Sequence, residues 1–204
     1  MRSLLVLTAL PLLLATGCSK PADAPLAADP AQPPAIDVPA DAGMDGHDHG
    51  DSPVLAEAVL APTAGSEVGG TLHFLRIGDQ LRVKGEVTGL APGSVHGFHI
   101  HENGDCSAAD GSSAGGHFNP TGSEHGAVEA SVHHGGDMPN LQAGDDGRAL
   151  VDGPVSASVT LGDGSGSDIL GRGLIVHADP DDYTSQPTGN AGARLACAVI
   201  EAAR

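Results

Sequence analysis

Histidines gathered between His96 and Asp137 are the most chemically informative feature of the sequence. The segment reads HGFHIHENGDCSAADGSSAGGHFNPTGSEHGAVEASVHHGGD. Because His99 and His101 are separated by one residue, their side chains point to the same face if they lie on a β-strand. A pair of this kind, joined by imidazoles from elsewhere in the chain, suits copper, which prefers square, nitrogen-rich coordination.

A second set of ligand types follows in the same segment, among glycine, serine, asparagine and proline. Its members are His117, His125, His134 and Asp137. Three imidazoles and one carboxylate from one loop can complete a tetrahedral zinc shell. A loose metal-scavenging tract would be of low complexity, whereas these histidines are spaced among turn residues and a cysteine. The segment therefore predicts ligands for two metal ions.

The motifs that contain these residues resemble those of the copper/zinc superoxide dismutase family. They are GFHIHENGDCS, GGHFNP, HGGDMPN, GRGLIVHADPDD and TGNAGARLACAVI, in the order typical of that family, within residues 54–201. The resemblance implies an all-β fold, an eight-stranded antiparallel Greek-key β-barrel or sandwich with long metal-binding and active-site loops. It also implies dismutation of superoxide to oxygen and hydrogen peroxide. The alternative is a non-enzymatic copper-binding or copper-delivery module on the same fold.

The resemblance implies a role for each candidate site residue. The copper ligands that it implies are His99, His101, His117 and His177. The zinc ligands that it implies are His117, His125, His134 and Asp137. His117 would then bridge the two metals as an imidazolate and supply a proton during catalysis.

Four further residues receive supporting roles from the same resemblance. Asp181 is expected to hydrogen-bond one histidine ligand of each metal, which would orient both rings. Arg194 is expected to place a positive charge beside the copper for a small anion; a salt bridge at the end of the barrel is the alternative. Cys106 and Cys197 are expected to form a disulfide.

Composition agrees with a fold of short strands and tight turns. The 204 residues include 30 glycines, no tryptophan and only 2% aromatic residues. Alternating apolar residues predict a strand that carries the His99 pair and, in addition, strands at 55–61, 71–77, 80–87, 147–151, 156–161, 174–178 and 194–200. No segment predicts a long helix. The net charge of −17 argues against nucleic acid as a partner.

The N-terminal region predicts export. Residues 1–17 have a basic start and an apolar run too short to span a bilayer, as in a signal peptide. The sequence ATGC that ends at Cys18 resembles a bacterial lipoprotein cleavage site, so we expect a lipid on Cys18 and anchoring to the outer membrane, within the periplasm or cell envelope. An ordinary secreted protein with an unpaired cysteine is the alternative. An odd total of three cysteines fits one disulfide plus one acylated residue.

Residues 18–53 then read as a disordered tether, and residues 54–204 as the folded dismutase domain. The tether is rich in Ala, Pro and Asp and carries too few large apolar side chains to fold. His47 and His49 lie within it, either in a solvated acidic linker or in a weak metal-gathering site. Superoxide and the membrane are the expected partners, and a homodimer is an open alternative to a monomer.

One departure from the family concerns the loop between His177 and Thr188. It is several residues shorter than in the best-known eukaryotic relatives, and Pro187 stands where those proteins have a lysine that steers the substrate. The metal chemistry is therefore expected to carry over to this chain, while long-range guidance of the anion is not.

Overall fold

Ten β-strands account for most of the regular structure in residues 52–204, the part of the chain that the computed structural model describes. They are β1 (Val54–Pro62), β2 (Gly69–Ile77), β3 (Gln80–Thr88), β4 (Val95–His96), β5 (Phe98–His101), β6 (Leu141–Gln142), β7 (Ala149–Pro154), β8 (Gly173–His177), β9 (Arg194–Val199) and β10 (Glu201–Ala202). The helical content of residues 52–204 includes a three-residue 3-10 turn at Ser112–Ala114, and no helix there is long and apolar enough to cross a membrane. The predicted signal peptide, Cys18 and the tether up to residue 51 lie outside the described residues.

Eight of these strands form one curled antiparallel sheet. Its order is β5–β8–β9–β1–β2–β3–β7, and β10 pairs with β1. The start of β1 pairs with β10 and its end pairs with β9, so the C-terminal residues follow β1 along its whole length. β4 and β6 form a separate two-stranded sheet, in which His96 is paired with Leu141. The predicted all-β fold with eight antiparallel strands is confirmed.

The strands form where apolar residues alternate with polar or small ones. In β1 the side chains of Ala56, Ala58 and Leu60 are buried while Val59 is exposed, as the two-residue period of a strand requires. The same inward face of the other strands completes the core. Its largest fully buried apolar side chains are Phe74, Phe98, Leu72, Ile100, Met138, Ile169, Leu174 and Ile200.

The strand predicted at residues 156–161 is wrong. The Ser156 hydroxyl accepts a hydrogen bond from the Ser158 N–H at 3.1 Å and closes a turn. Beyond it, Thr160 makes only an isolated bridge, to Asp168. The Asp168 carboxylate accepts the N–H groups of Gly162 and Gly164 at 2.8 and 2.7 Å. A side-chain oxygen therefore satisfies the Ser158 N–H, which a strand would have paired with another strand, and Asp168 holds the loop that follows the predicted range.

The edge strand β5 holds two segments of the irregular region between β5 and β6. The N–H of Ile100 bonds the carbonyl of Gly136, and the N–H of Phe118 bonds the carbonyl of Ile100, both at 2.9 Å. Isolated bridges join His101 to His117 and His99 to Asp137. Residues 20 positions apart in this region are thus brought to the same strand.

A disulfide fixes the earlier part of the same region to β9. Cys106 and Cys197 are bonded, with a Cα–Cα distance of 5.8 Å, which confirms the expected pair. Beneath the loop, Ala114 and Ile175 pack with Cys197 in a small buried cluster separate from the main core. The loop that precedes His117 is therefore held both covalently and by packing.

Candidate metal centre

Four buried histidines form the first cluster. Two come from β5, one from the irregular region after it and one from the end of β8: His99, His101, His117 and His177. One ring nitrogen from each lies within 4.8 Å of all the others. The antiparallel pairing of β5 with β8 accounts for three of these positions, because it places the end of β8 beside the start of β5.

Two nitrogens of this cluster, His99 Nδ1 and His117 Nε2, are buried and have no hydrogen-bond partner. Buried polar atoms are almost always hydrogen-bonded, so such atoms are available to a metal ion. The opposite nitrogen of His99 bonds an Asp181 oxygen at 2.7 Å. His101 Nδ1 likewise bonds the Gly115 carbonyl at 3.0 Å, and its Nε2 lies 3.3 Å from Nε2 of His177. Four imidazole nitrogens that converge in this way fit copper.

The second cluster lies on the other side of His117. The Nδ1 atoms of His117, His125 and His134 lie 2.8, 3.0 and 3.4 Å from Asp137 Oδ1. The other Asp137 oxygen accepts the backbone N–H groups of His134 and Gly126, at 2.8 and 3.1 Å, which fixes the carboxylate. Three nitrogens and one oxygen fit tetrahedral zinc. His117 presents Nδ1 to this cluster and Nε2 to the first, as a bridging residue would.

Asp181 joins the two clusters. Its carboxylate oxygens bond Nε2 of His99 at 2.7 Å and Nε2 of His125 at 2.9 Å. Each ring then donates from Nε2. For His99 this leaves Nδ1 without a proton and facing the first cluster, while Nδ1 of His125 faces Asp137 in the second. A Cβ atom at Gly189, whose φ is +66°, would collide with the Asp181 carboxylate and approach His125 Nε2. Glycine is therefore required at position 189.

Burial lowers the pKa of three histidines of the first cluster, His101, His117 and His177. Burial, with a smaller contribution from the neighbouring imidazoles, lowers the pKa of His117 to about 4 and that of His177 to about 3. Burial also lowers the pKa of His101 well below its ordinary value. Because a neutral imidazole keeps a lone pair, these rings can bind a metal at neutral pH without first losing a proton.

The second cluster has the opposite electrostatic character. Burial opposes protonation of His125, but hydrogen bonds to Asp137 and Asp181 outweigh it and raise the pKa of His125 to about 9. Burial likewise opposes ionisation of Asp137 and Asp181, and their hydrogen bonds to the histidines outweigh it, so the pKa of each carboxyl lies well below its usual range. A cation that enters this cluster therefore displaces a proton and meets ionised carboxylates.

Arg194 lies at the start of β9, next to the first cluster. Its Nη1 and Nη2 donate to the carbonyl oxygens of Gly111 and Gly115, each at 2.5 Å. The Gly115 carbonyl also bonds His101 Nδ1, so the guanidinium and one histidine ring of the first cluster share an acceptor. Burial lowers the pKa of Arg194, but an arginine stays charged in proteins. Its partners are carbonyls, in contrast to the carboxylate that the salt-bridge alternative requires.

Two side-chain amides hold the backbone of metal-centre residues, which the sequence analysis missed. Asn140 Oδ1 accepts the Asp181 N–H and its Nδ2 donates to the Asp181 carbonyl, both at 2.9 Å. Gln186 Oε1 accepts the His125 N–H at 2.9 Å and its Nε2 donates to the His125 carbonyl at 3.0 Å. We call these contacts the Asn140 clamp and the Gln186 clamp. Asn140 belongs to the quoted motif HGGDMPN, but no spacing rule singles out either amide.

The remaining histidines of residues 52–204 lie outside both clusters. His96 is buried and structural: its Nδ1 bonds the His177 carbonyl at 2.8 Å, and its Nε2 bonds the Ser94 hydroxyl at 2.6 Å. His73 is partly exposed on β2, with Nδ1 3.6 Å from a Glu57 oxygen. His133 Nδ1 bonds the backbone carbonyl of His134.

Comparisons with known proteins agree with this geometry. The family model described as copper/zinc superoxide dismutase matches residues 68–200. Superoxide dismutase (Cu-Zn) 2 of Aquifex aeolicus is 40% identical over 148 residues, which are 71% of this chain and 85% of that protein.

Solved structures give the same result. The crystal structure of a double mutant of a SOD-like protein from Bacillus subtilis is 39% identical, with a TM-score of 0.64, over 71% of this chain and 96% of that one. The clock protein EA4 is 34% identical, with a TM-score of 0.63, over 74% of this chain and 96% of that one. The chain belongs to the copper/zinc superoxide dismutase family, and both of its metal-ligand clusters are intact.

Proposed function

We propose that the protein dismutes superoxide, with copper in the first cluster and zinc in the second. The observation that carries the proposal is the pair of buried, unpartnered nitrogens in the first cluster, His99 Nδ1 and His117 Nε2. The second of these belongs to a histidine that also faces the zinc cluster. Copper bound there supplies one-electron chemistry, by which one superoxide is oxidised to oxygen while another, with two protons, is reduced to hydrogen peroxide. Zinc does not change its oxidation state, so its contribution is structural and electrostatic.

The protein's own groups position and protonate the substrate. His117 Nε2 faces the first cluster and can hold a proton there, while its Nδ1 is held on the zinc side beside Asp137. That proton is available to the reduced product. The second proton comes from solvent. A ring fixed at one nitrogen thus carries a proton at the other without a change of position.

Arg194 supplies a fixed positive charge for the anion. Hydrogen bonds to two carbonyls restrain its guanidinium, and one of these carbonyls also holds His101. The net charge of −17 opposes approach of an anion, but exposed charges more than about 8–10 Å away are largely screened at physiological salt. The local field near Arg194 therefore governs the last step of binding, and Pro187 contributes no steering charge.

Metal analysis combined with a superoxide-consumption assay tests the proposal. One copper and one zinc per chain, together with copper-dependent consumption of superoxide, are expected of the reconstituted protein. His101→Ala should abolish copper binding and activity and leave the zinc cluster, to which His101 does not belong. His73→Ala, outside both clusters, is the control. Full activity without copper would refute the proposal.

The same experiment separates the enzyme from a copper-binding or copper-delivery module. The structurally similar EA4 is described as a clock protein, so similarity of structure alone does not establish the activity. Retention of all four histidines of the first cluster and of Arg194 favours the enzyme. Tight copper binding with no consumption of superoxide would favour the module.

The proposed site of action is the periplasm or cell envelope, where a lipid on Cys18 anchors the chain to the outer membrane. The apolar N-terminal run, the position of Cys18 and a disulfide that leaves Cys18 unpaired support this location. Mature protein should begin at Cys18 and partition with membranes, because several acyl chains anchor stably where one does not. Equal recovery of Cys18→Ser in the membrane fraction would contradict lipidation. Sedimentation of the soluble form would decide between the monomer and the homodimer.

A further inference from the structure

The Gln186 clamp links the loop after β8 to the zinc cluster. Gln186 lies nine residues beyond His177 of the copper cluster, yet its amide bonds both backbone polar groups of His125, a residue 61 positions earlier. Gln186 therefore belongs to the loop after β8 and acts on a metal ligand in the irregular region between β5 and β6.

His125 needs such a partner because no strand contains it. Residues 118–136 have no strand, so the N–H and carbonyl of His125 receive no pairing from a neighbouring strand. Backbone polar groups in folded proteins are nearly always paired. One side-chain amide satisfies both groups, with the geometry that an adjacent strand would supply.

The clamp fixes the backbone from which the His125 ring extends. That ring is held at Nδ1 by Asp137 at 3.0 Å and at Nε2 by Asp181 at 2.9 Å. A shift of the His125 backbone would move Nδ1 away from its partners in the zinc cluster. The Asp181 backbone is held separately, by the Asn140 clamp. Loss of Gln186 therefore leaves the Asp181 backbone restrained and releases the His125 backbone.

We propose that Gln186 is a positioning residue for the zinc site, which it organises by holding the His125 backbone at both polar groups. The inference rests on the proposed function in that it takes zinc as the occupant of the second cluster. The role requires a donor and an acceptor on one neutral side chain. Leucine supplies neither, and glutamate supplies only the acceptor.

Competition titration of the metal-depleted full-length chain with Zn²⁺ and a chromophoric chelator tests this role. Gln186→Leu is expected to raise the zinc dissociation constant about tenfold, the lower end of what loss of an outer-shell partner costs. Gln186→Glu should raise it less, because the bond from the His125 N–H can persist. Gln142→Leu is the matched control, since the Gln142 amide also donates to backbone carbonyls, those of Gly93, Ser94 and Ala143, and none belongs to a metal ligand.

Copper binding to the zinc-loaded variants separates positioning from general destabilisation. Gln186→Leu should bind copper within about twofold of wild type, because Gln186 touches no ligand specific to copper. Visible absorption of Co²⁺ in the zinc position should also change in Gln186→Leu and not in Gln142→Leu.

Three results would overturn the inference. In the first, zinc affinity of Gln186→Leu stays within about twofold of wild type. In the second, zinc and copper affinities fall together by the same factor, as they would for a merely structural residue. If Gln186→Leu does not fold, unchanged zinc affinity in Gln186→Glu is the third. A wild-type chain that binds no zinc at all would instead refute the proposed function.

Discussion

Replacement of Asp181 by asparagine is the most informative test of the metal centre. Asp181 is 3% exposed, and its two oxygens accept hydrogen bonds from the rings of His99 and His125. Asparagine keeps the shape but has one oxygen and one NH₂ group. One ring therefore faces a donor, and water has no access to replace the lost acceptor. We expect that ring to move its proton to Nδ1, the atom that the metal needs.

The zinc site should lose more affinity than the copper site. His99 lies on β5, where backbone pairing holds it, whereas His125 lies in a segment without strands and depends on side-chain contacts. Outer-shell substitutions of this kind weaken metal binding about 10- to 100-fold, or about 1.4–2.8 kcal/mol. We expect zinc affinity to fall by an amount in this range and copper affinity to fall less.

Chelator competition for each metal, together with thermal unfolding of the metal-depleted and zinc-loaded forms, measures these effects. A 100-fold loss of affinity removes about 2.7 kcal/mol of the stabilisation that zinc provides by binding the folded state. Asp168→Asn is the control, because Asp168 is also buried but bonds backbone N–H groups of its own loop. Zinc affinity of Asp181→Asn within about twofold of wild type would refute the reasoning about ring protonation.

Three further predictions follow from the same structure. Reduction of the disulfide, whose cysteines are 91 residues apart, should lower the free energy of unfolding by about 4–5 kcal/mol in denaturant titrations, and an unchanged midpoint would contradict it. Among substitutions at Arg194, kcat/KM for superoxide should fall in the order Arg, Lys, a neutral residue, Glu, with about tenfold lost for each 1.4 kcal/mol of lost interaction with the anion. A kcat/KM of Arg194→Glu within twofold of wild type would exclude a docking role. The metal-depleted protein should be most stable near the unfolded histidine pKa of about 6.5. Below pH 6.5 the unfolded chain binds more protons than the folded chain, because the pKa of His117 is lowered to about 4 and that of His177 to about 3 in the folded state, so stability falls as the pH falls. Above pH 6.5 the folded chain binds one more proton than the unfolded chain, because the pKa of His125 is raised to about 9. Stability is therefore lost as the pH rises toward 9. Denaturant titrations across pH 5 to 9 would check the maximum, and stability that rises steadily to pH 9 would contradict it.

The sequence predicts most strands because alternation is a local signal. Gly78 lies in the turn between β2 and β3 with a φ of +58°, a conformation that favours glycine. Both flanking strands match their predicted ranges closely. The short strands β6 and β10 span two residues each and are too short to show a period. The predicted strand at 156–161 fails because the Ser156 hydroxyl bonds the local backbone there, and the Asp168 carboxylate holds the loop that begins at Gly162.

The metal clusters were also predictable, for a different reason. Their ligands are residue types with few other uses in such density, so spacing alone indicated two sites. The resemblance to the family added His177 and the double role of His117. The amides of Asn140 and Gln186 carry no such signal. Each acts on a residue 41 or 61 positions away, and only the folded chain shows that these loops meet. Contacts that depend on tertiary proximity of ordinary polar residues are what the sequence analysis missed.

The two metal clusters differ in what holds them. Three of the four copper-cluster histidines lie on β5 or at the end of β8, so the sheet itself sets their positions. The zinc cluster lies in an irregular region, where hydrogen bonds accepted by Asp137 and Asp181, together with the two clamps, take the place of strand pairing. His117 belongs to both. A cation in the zinc cluster would therefore order the irregular region and, through the shared ring, further fix His117, the one copper-cluster histidine that lies outside the named strands.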